Sequence, residues 1–325
     1  MDGRTIDEQL TKYLTDAHSI EEQALAQLRT APDIAGDPHL AALFADHLRE
    51  TEQQERLVRG RLEAHGASPS KLKDTVMAAG GKGFVLFARS QPDTPGKLAA
   101  HAISYENLEL AGYELLARVA ERAGDQETAE VARQIRDQEQ AMSERLQGAL
   151  DRAVDASLRD QSPDDLRGQL KKYLADAHAI EAQAMQLLSK GEDIAGDPEL
   201  ARLYAEHLEE TRDQQALVRE RLEALGGAPT PLKDAGMRVG ALNWGAFFAA
   251  QPDTPGKLAA FAFAFEHLEI GGYEQLRRVA ERAGDQATAA AAEQILVQER
   301  AAAAKIAGQW DRAVDASLRA VGAAA

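Results

Sequence analysis

The chain has no cysteine. Disulfides, thiolate nucleophiles and cysteine-ligated zinc are excluded with it. Aromatic residues are scarce, at 5%, and β-branched residues are few, which disfavours strands. Positive charge is in deficit: 37 Lys and Arg face 53 Asp and Glu, for a net charge of -16. A nucleic-acid partner is therefore not expected, because phosphates need a basic face to neutralise them. No apolar run reaches the length of a membrane span, so no membrane partner is expected either. The opening residues MDGRTIDEQL lack the basic and apolar segments of a secretion signal, and a cytoplasmic location is expected.

What remains is rich in Ala, Leu, Glu, Gln and Arg, the residues that favour helices. The 325 residues give room for two ordinary domains. QPDTPGKLAA at 91–100 recurs unchanged at 251–260, RVAERAGDQ at 118–126 recurs at 278–286, and DRAVDASLR at 151–159 recurs at 311–319. The offset is 160 residues each time, so the chain is a duplicated domain and not a solenoid of short repeats. The expected division is a first bundle at 1–159, a joint at 160–165 (DQSPDD) and a second bundle at 166–325.

Each half carries four long stretches of helical periodicity, in the first half at about 5–30, 36–65, 95–123 and 125–156. GDP at 36–38 and GD at 124–125 mark two tight helix–helix connections. A longer connection, 66–94, holds the apolar stretch GFVLFA, expected to form a short helix over one end of the bundle. Two helical hairpins joined by one long crossover is the connectivity of ferritin-like bundles. The expected fold is all-α: two tandem ferritin-like four-helix bundles.

Placing residues at roughly 100° per step puts charge on faces that must be buried. On the first helix Glu21 falls within the stripe of Leu14, Ala17, Ala24, Leu25 and Leu28, with His18 at its margin. On the second, His47 sits near the centre of the stripe, Glu50 to one side and Gln54 a further turn on. On the third, Glu106 is central and Glu109 flanks it. On the fourth, Glu139 lies among Ala132, Ile135, Met142 and Leu146. The second half repeats these as Glu181, His178, His207, Glu210, Gln214, Glu266, Glu269 and Glu299. Charges outside the stripes drift meanwhile: Arg49 matches Glu209, Glu52 matches Arg212, and Glu22 matches Ala182.

A lone histidine or glutamate on such a face is ordinarily a packed or margin residue. An inward carboxylate on every helix, twice over, is different, because buried unpaired carboxylates are costly or take up protons. No inward Lys or Arg recurs in both halves. A divalent metal is the simplest counter-charge, and oxygen-rich sites with one imidazole suit Fe or Mn. Glu21, His47, Glu50, Glu109 and Glu139 are the expected ligands of a dinuclear site, with Glu181, His207, Glu210, Glu269 and Glu299 in the second half. Glu106 and Glu266 are expected as a bridge or as a catalytic base beside the ligands. His18 and Gln54 are expected to support the ligands rather than bind metal, and Tyr113 to be a packed tyrosine, though a phenol one turn from a metal site could donate a hydrogen bond to it.

DAHSIEEQ (16–23), HLRET (47–51), YENLELAGY (105–113) and Glu139 resemble the YciE/YciF-type ferritin-like proteins of bacteria. DAHAIEAQ (176–183), HLEET (207–211) and FEHLEIGGY (265–273) are similar again, so the resemblance covers nearly all of each half. It implies a ferritin-like bundle, a dinuclear metal site and an association with stress. It also implies an internal pseudo-dimer, since single-domain members look like dimer formers. One departure stands out. Ferritin-like di-iron sites commonly carry Glu-x-x-His on two helices. Here the second helix runs from His47 to Glu50, and Met142 follows Glu139. The expected activity is oxidation with O2, peroxide or Fe(II) as substrate. The alternative is a non-catalytic metal-binding or scaffold protein.

Overall fold

The computed structural model describes residues 5–69, 94–229 and 254–323. The apolar stretch GFVLFA and its expected helix lie outside the described residues. Among the described residues there are helices and no strand. The first half contains α1 (Ile6–Leu28), α2 (Ala31–Ile34), α3 (Pro38–Ala64), α4 (Thr94–Ala123), α5 (Gln126–Gly148) and α6 (Leu150–Leu158). The second contains α7 (Pro163–Ile194), α8 (Pro198–Ala224), α9 (Thr254–Arg282), α10 (Gln286–Ala307) and α11 (Trp310–Ala320).

The helix starts follow from capping chemistry. Thr5 and Glu8 form a reciprocal capping box at α1. Asp37 accepts from the His39 and Leu40 amides ahead of α3, with Pro38 in the first turn, where its missing N–H costs nothing. Asp125 accepts from the Thr128 amide ahead of α5. The GDP and GD connections are thus a glycine turn followed by an aspartate cap. Gly36 has φ +70°, and a Cβ there would stand 2.5 Å from Pro95 Cγ. Glycine is required at that position on both counts.

One helix differs from its expected extent. The helix expected at 5–30 is α1, which ends at Leu28; α2 follows as a separate turn beyond that range, with Pro32, which cannot donate to the ladder, in its first turn. The second half has Glu192 at that position, and α7 runs on unbroken to Ile194. The helix expected at 125–156 breaks at Ala149, just past Gly148. The counterpart break follows Ala307, at Gly308. Glycine is a weak helix former at both points.

In the first half α1 packs on α3 and α4, and α5 packs on α3 and α4, closing a ring of four helices. Arg61 near the end of α3 bonds Asp125 at the start of α5, while Glu50 earlier in α3 bonds Arg145 late in α5. These two helices are therefore antiparallel. The core of the ring includes Leu14, Phe44, Ile103, Ile135, Met142 and Leu146, all essentially inaccessible. Each such side chain contributes about 1.5–3 kcal/mol by leaving water. Ser157 Oγ accepts from the Gly96 amide at 2.9 Å, tying α6 to the first turn of α4. Ser317 does the same for Gly256 at 2.7 Å.

By contacts the chain divides into two compact units: Met1–Ser157 with Val321–Ala325, and Leu158–Ala320. The two units are built alike, as the repeat requires. No described helix is long and apolar enough to cross a membrane.

Candidate metal centre

Three helices deliver carboxylates, and a fourth a histidine, to the middle of the first bundle. Glu21 comes from α1, His47 from α3, Glu106 and Glu109 from one face of α4, and Glu139 from α5. All five are buried, with Glu21 and Glu139 at 0% exposure. In the second unit Glu181, His207, Glu266, Glu269 and Glu299 take the same places and are equally buried.

His47 Nε2 lies 2.8 Å from Glu106 Oε2 and 3.6 Å from Glu139 Oε2. One ligand atom from each of His47, Glu106, Glu109 and Glu139 falls within 4.8 Å of the others. His207, Glu266, Glu269 and Glu299 form the matching group, with 2.9 and 3.8 Å for the two histidine contacts. Glu21 adjoins this group: the charges of His47 and Glu106 both act on it. The Tyr113 hydroxyl donates to Glu21 Oε1, and Tyr273 donates to Glu181 Oε1. Gln54 Nε2 donates to Glu139 Oε1.

The ligand atoms that face one another are not satisfied. Glu21 Oε2, His47 Nε2, Glu106 Oε2, Glu109 Oε1 and Glu139 Oε2 are buried without a hydrogen bond, and the His47–Glu106 approach lacks hydrogen-bond alignment. The second unit leaves Glu181 Oε2, His207 Nε2, Glu266 Oε2, Glu269 Oε1 and both Glu299 oxygens in the same condition. Each unmade bond at a buried polar atom costs about 1–3 kcal/mol, and more where the group is charged. A divalent cation with mixed oxygen and imidazole preference fits this donor set. Each unit therefore holds a buried His/Glu cluster that could bind metal.

Without a cation the cluster stores protons. Burial pushes the Glu21 carboxyl up to about 8, against the lowering effect of the Tyr113 hydrogen bond, and Glu181 likewise reaches about 8. Burial and neighbouring carboxylates push Glu109 well above the ordinary range, and Glu269 with it. Glu139 and Glu299 are raised first by burial. Burial alone would push the histidines down. Glu106 and Glu50 outweigh it and hold His47 well above the ordinary imidazole value, while Glu266 and Glu210 lift His207 to about 9.

Glu50 and Glu210 do not join the cluster, although the periodicity placed them among the ligands. Glu50 lies on the outer side of the histidine ring, a third exposed, with its Oε2 accepting from His47 Nδ1 at 3.2 Å and from Arg145 Nη2 at 2.7 Å. It lines a surface cavity of about 500 Å³ with Gln138, Ala141, Glu144 and Arg145. Glu210 repeats the arrangement on His207 Nδ1, with Lys305 Nζ at 3.6 Å. The histidine bond and Arg145 keep the Glu50 carboxyl at about 2. A basic partner thus does recur in both halves, at the rim of the site rather than in it. Glu106 and Glu266, expected beside the ligands, stand within the cluster. A second buried contact went unread in the sequence: His18 Nε2 lies 3.0 Å from Glu55 Oε1. Its signal was Glu55 on the same α3 face as Thr51 and Val58.

Sequence comparison carries the duplication further. The profile of a family described as a domain of unknown function (DUF892) matches residues 5–159 and again residues 165–319. The chain belongs to the DUF892 family. It does so twice, and each match contains one complete His/Glu cluster. No solved structure matches this DUF892 tandem.

Proposed function

We propose that each half holds a dinuclear iron or manganese centre and that the chain is an oxidoreductase of ferritin-like type. Its substrates would be dioxygen, peroxide or Fe(II). The observation that carries this reading is the set of buried, unsatisfied ligand atoms of Glu21, His47, Glu106, Glu109 and Glu139, repeated on the five matching residues of the second unit. Five such side chains offer more donors than one ion needs. The resemblance to the YciE/YciF-type proteins supports the same assignment.

Within this reading His47 supplies the nitrogen donor and Glu109 and Glu139 the oxygen donors. Glu106 would supply a further oxygen donor or take a proton at its carboxylate. Tyr113 orients Glu21 by its hydroxyl, and Gln54 orients Glu139 by its amide. Glu50 holds the outer nitrogen of His47, as carboxylates commonly do for metal-bound imidazoles. Bound metal would supply Lewis acidity and a redox couple. The packed core limits water at the site.

The contact between His47 and Glu106 favours one second reading. An imidazolium beside a carboxylate, with protonated neighbours, makes a proton-sharing polar core in a non-catalytic scaffold protein. Elemental analysis decides between them, on protein purified without chelator or added metal. Fe or Mn in both halves, lost in Glu21→Ala/Glu181→Ala, followed by turnover of Fe(II) or peroxide, is the expected result. Absence of metal, with no binding or thermal stabilisation on metal challenge, leaves the proton-sharing core.

A further inference from the structure

We propose that the first half carries an accessory site for a divalent transition-metal ion, formed by His18, Glu22 and Glu55, and that the second half lacks it. One ligand atom from each of the three lies within 4.8 Å of the others. His18 and Glu22 are one turn apart on α1, so both side chains fall on one face. Glu55 reaches them from α3, with Oε1 at 3.0 Å from His18 Nε2. His18 and Glu55 are buried and Glu22 is half-buried, so the cluster is anchored in the protein but open on one side to water.

The donor set fixes the class of ion. One imidazole nitrogen with two carboxylates suits Mn(II), Fe(II) or Co(II), whereas Ca(II) and Mg(II) favour oxygen alone. Arg59 Nη2 holds the other oxygen of Glu55 at 3.0 Å, which fixes the carboxylate from a side chain that is 44% exposed. The cluster borders the main centre: Glu22 follows Glu21 in α1, and the Glu55 charge acts on Glu21. An ion here would sit between solvent and the buried cluster.

The duplication supplies the control. The five residues of the main cluster are matched one for one in the second half. The accessory set is not. His178 is retained, but Ala182 stands for Glu22 and Gln215 for Glu55. Gln215 Nε2 turns instead to the His178 carbonyl at 3.3 Å. Both carboxylates are missing together, one of them from a buried position.

Manganese titration of the full chain, with free Mn(II) followed by electron paramagnetic resonance, tests the assignment. Glu22→Ala/Glu55→Gln rewrites the first half with the residues the second half already uses. The expected result is one bound Mn(II) fewer than in the unaltered chain, with Ala182→Glu/Gln215→Glu binding one more. An unchanged complement in both double variants would overturn the accessory site and reduce it to an ion pair between helices. The proposal does not depend on the main centre. A Glu106→Ala/Glu266→Ala background that still loses one Mn(II) on the Glu22/Glu55 exchange upholds it even if the main clusters bind none.

Discussion

His47 Nε2 and Glu106 Oε2 stand 2.8 Å apart, and His207 Nε2 and Glu266 Oε2 stand 2.9 Å apart. The same nitrogen that faces the carboxylates is the one that a bound metal would use. A proton and a cation would then compete for it, and the raised values of Glu21, Glu109 and Glu139 would extend the competition to the oxygens. Cation binding is expected to expel protons, and affinity is expected to rise with pH across the neutral range. Calorimetry of Mn(II) binding near pH 7, in two buffers of different ionisation enthalpy, reads the release as a difference in heat. Equal heats would mean that the cluster was already deprotonated.

The same protons set how the metal-free chain responds to alkali. Glu21 moves from 4.5 to about 8 on folding, and Glu181 does the same. Between those values the folded state keeps protons that the unfolded chain has lost, so rising pH favours unfolding. His207, lifted to about 9, acts in the same direction: its contribution disappears as pH climbs through that value. Chelator-treated protein is expected to melt at a lower temperature near pH 9 than near pH 6. Excess Mn(II) should remove most of that slope. A Tm independent of pH would contradict the buried, protonated carboxyls.

The residues that were legible in the sequence and those that were not divide along a physical line. Helix periodicity and the Gly-Asp signals depend on neighbours in sequence, so the bundle helices and the tight connections at 36–38 and 124–125 could be read directly. The inward Glu21, His47, Glu106, Glu109 and Glu139 stood out because the duplicate kept them while exposed charges changed. Glu50 was misplaced because it lies three residues from His47, at the edge of the stripe. Its direction is set by Arg145, 95 residues away in sequence. Glu55 was missed because its burial comes from α1 packing over that side of α3.

Tyr113 and Tyr273 hold Glu21 and Glu181 by a hydroxyl donor, and burial first, then the glutamate charge, keeps the phenols protonated. Tyr113→Phe/Tyr273→Phe leaves Oε1 of each glutamate without its partner. The expected cost in the metal-free chain is about 1–3 kcal/mol, seen in denaturant unfolding. Metal affinity should fall about 10–100-fold, as for other groups that orient a ligand. The number of ions bound should stay the same. Competition against a chromophoric chelator measures both. Unchanged affinity would show that Glu21 needs no orientation by the phenol.

Asp125 and Asp285 cap equivalent helices but are not equally held. Asp125 accepts from the Thr128 amide at 3.0 Å, from Arg61 Nη2 at 3.1 Å and from His65 Nε2 at 2.7 Å. Asp285 accepts from the Thr288 amide at 3.0 Å and from Arg221 at 3.3 Å, but Leu225 stands where His65 would be. Loss of an aspartate cap alone costs about 0.5–2 kcal/mol. Asp125→Ala is therefore expected to destabilise its unit more than Asp285→Ala, by about 1 kcal/mol for the extra bond. Burial pushes the Asp125 carboxyl up, but its Thr128, His65 and Arg61 bonds outweigh that and hold it well below the ordinary aspartate value of 3.8. Its contribution is present above that ordinary value and fades as pH falls towards the lowered folded value. Asp125→Ala should thus flatten the acid side of the stability profile more than Asp285→Ala. His65→Leu gives the first unit the second unit's cap. In that background the two aspartate substitutions should cost the same, and a surviving difference would place its origin outside the cap.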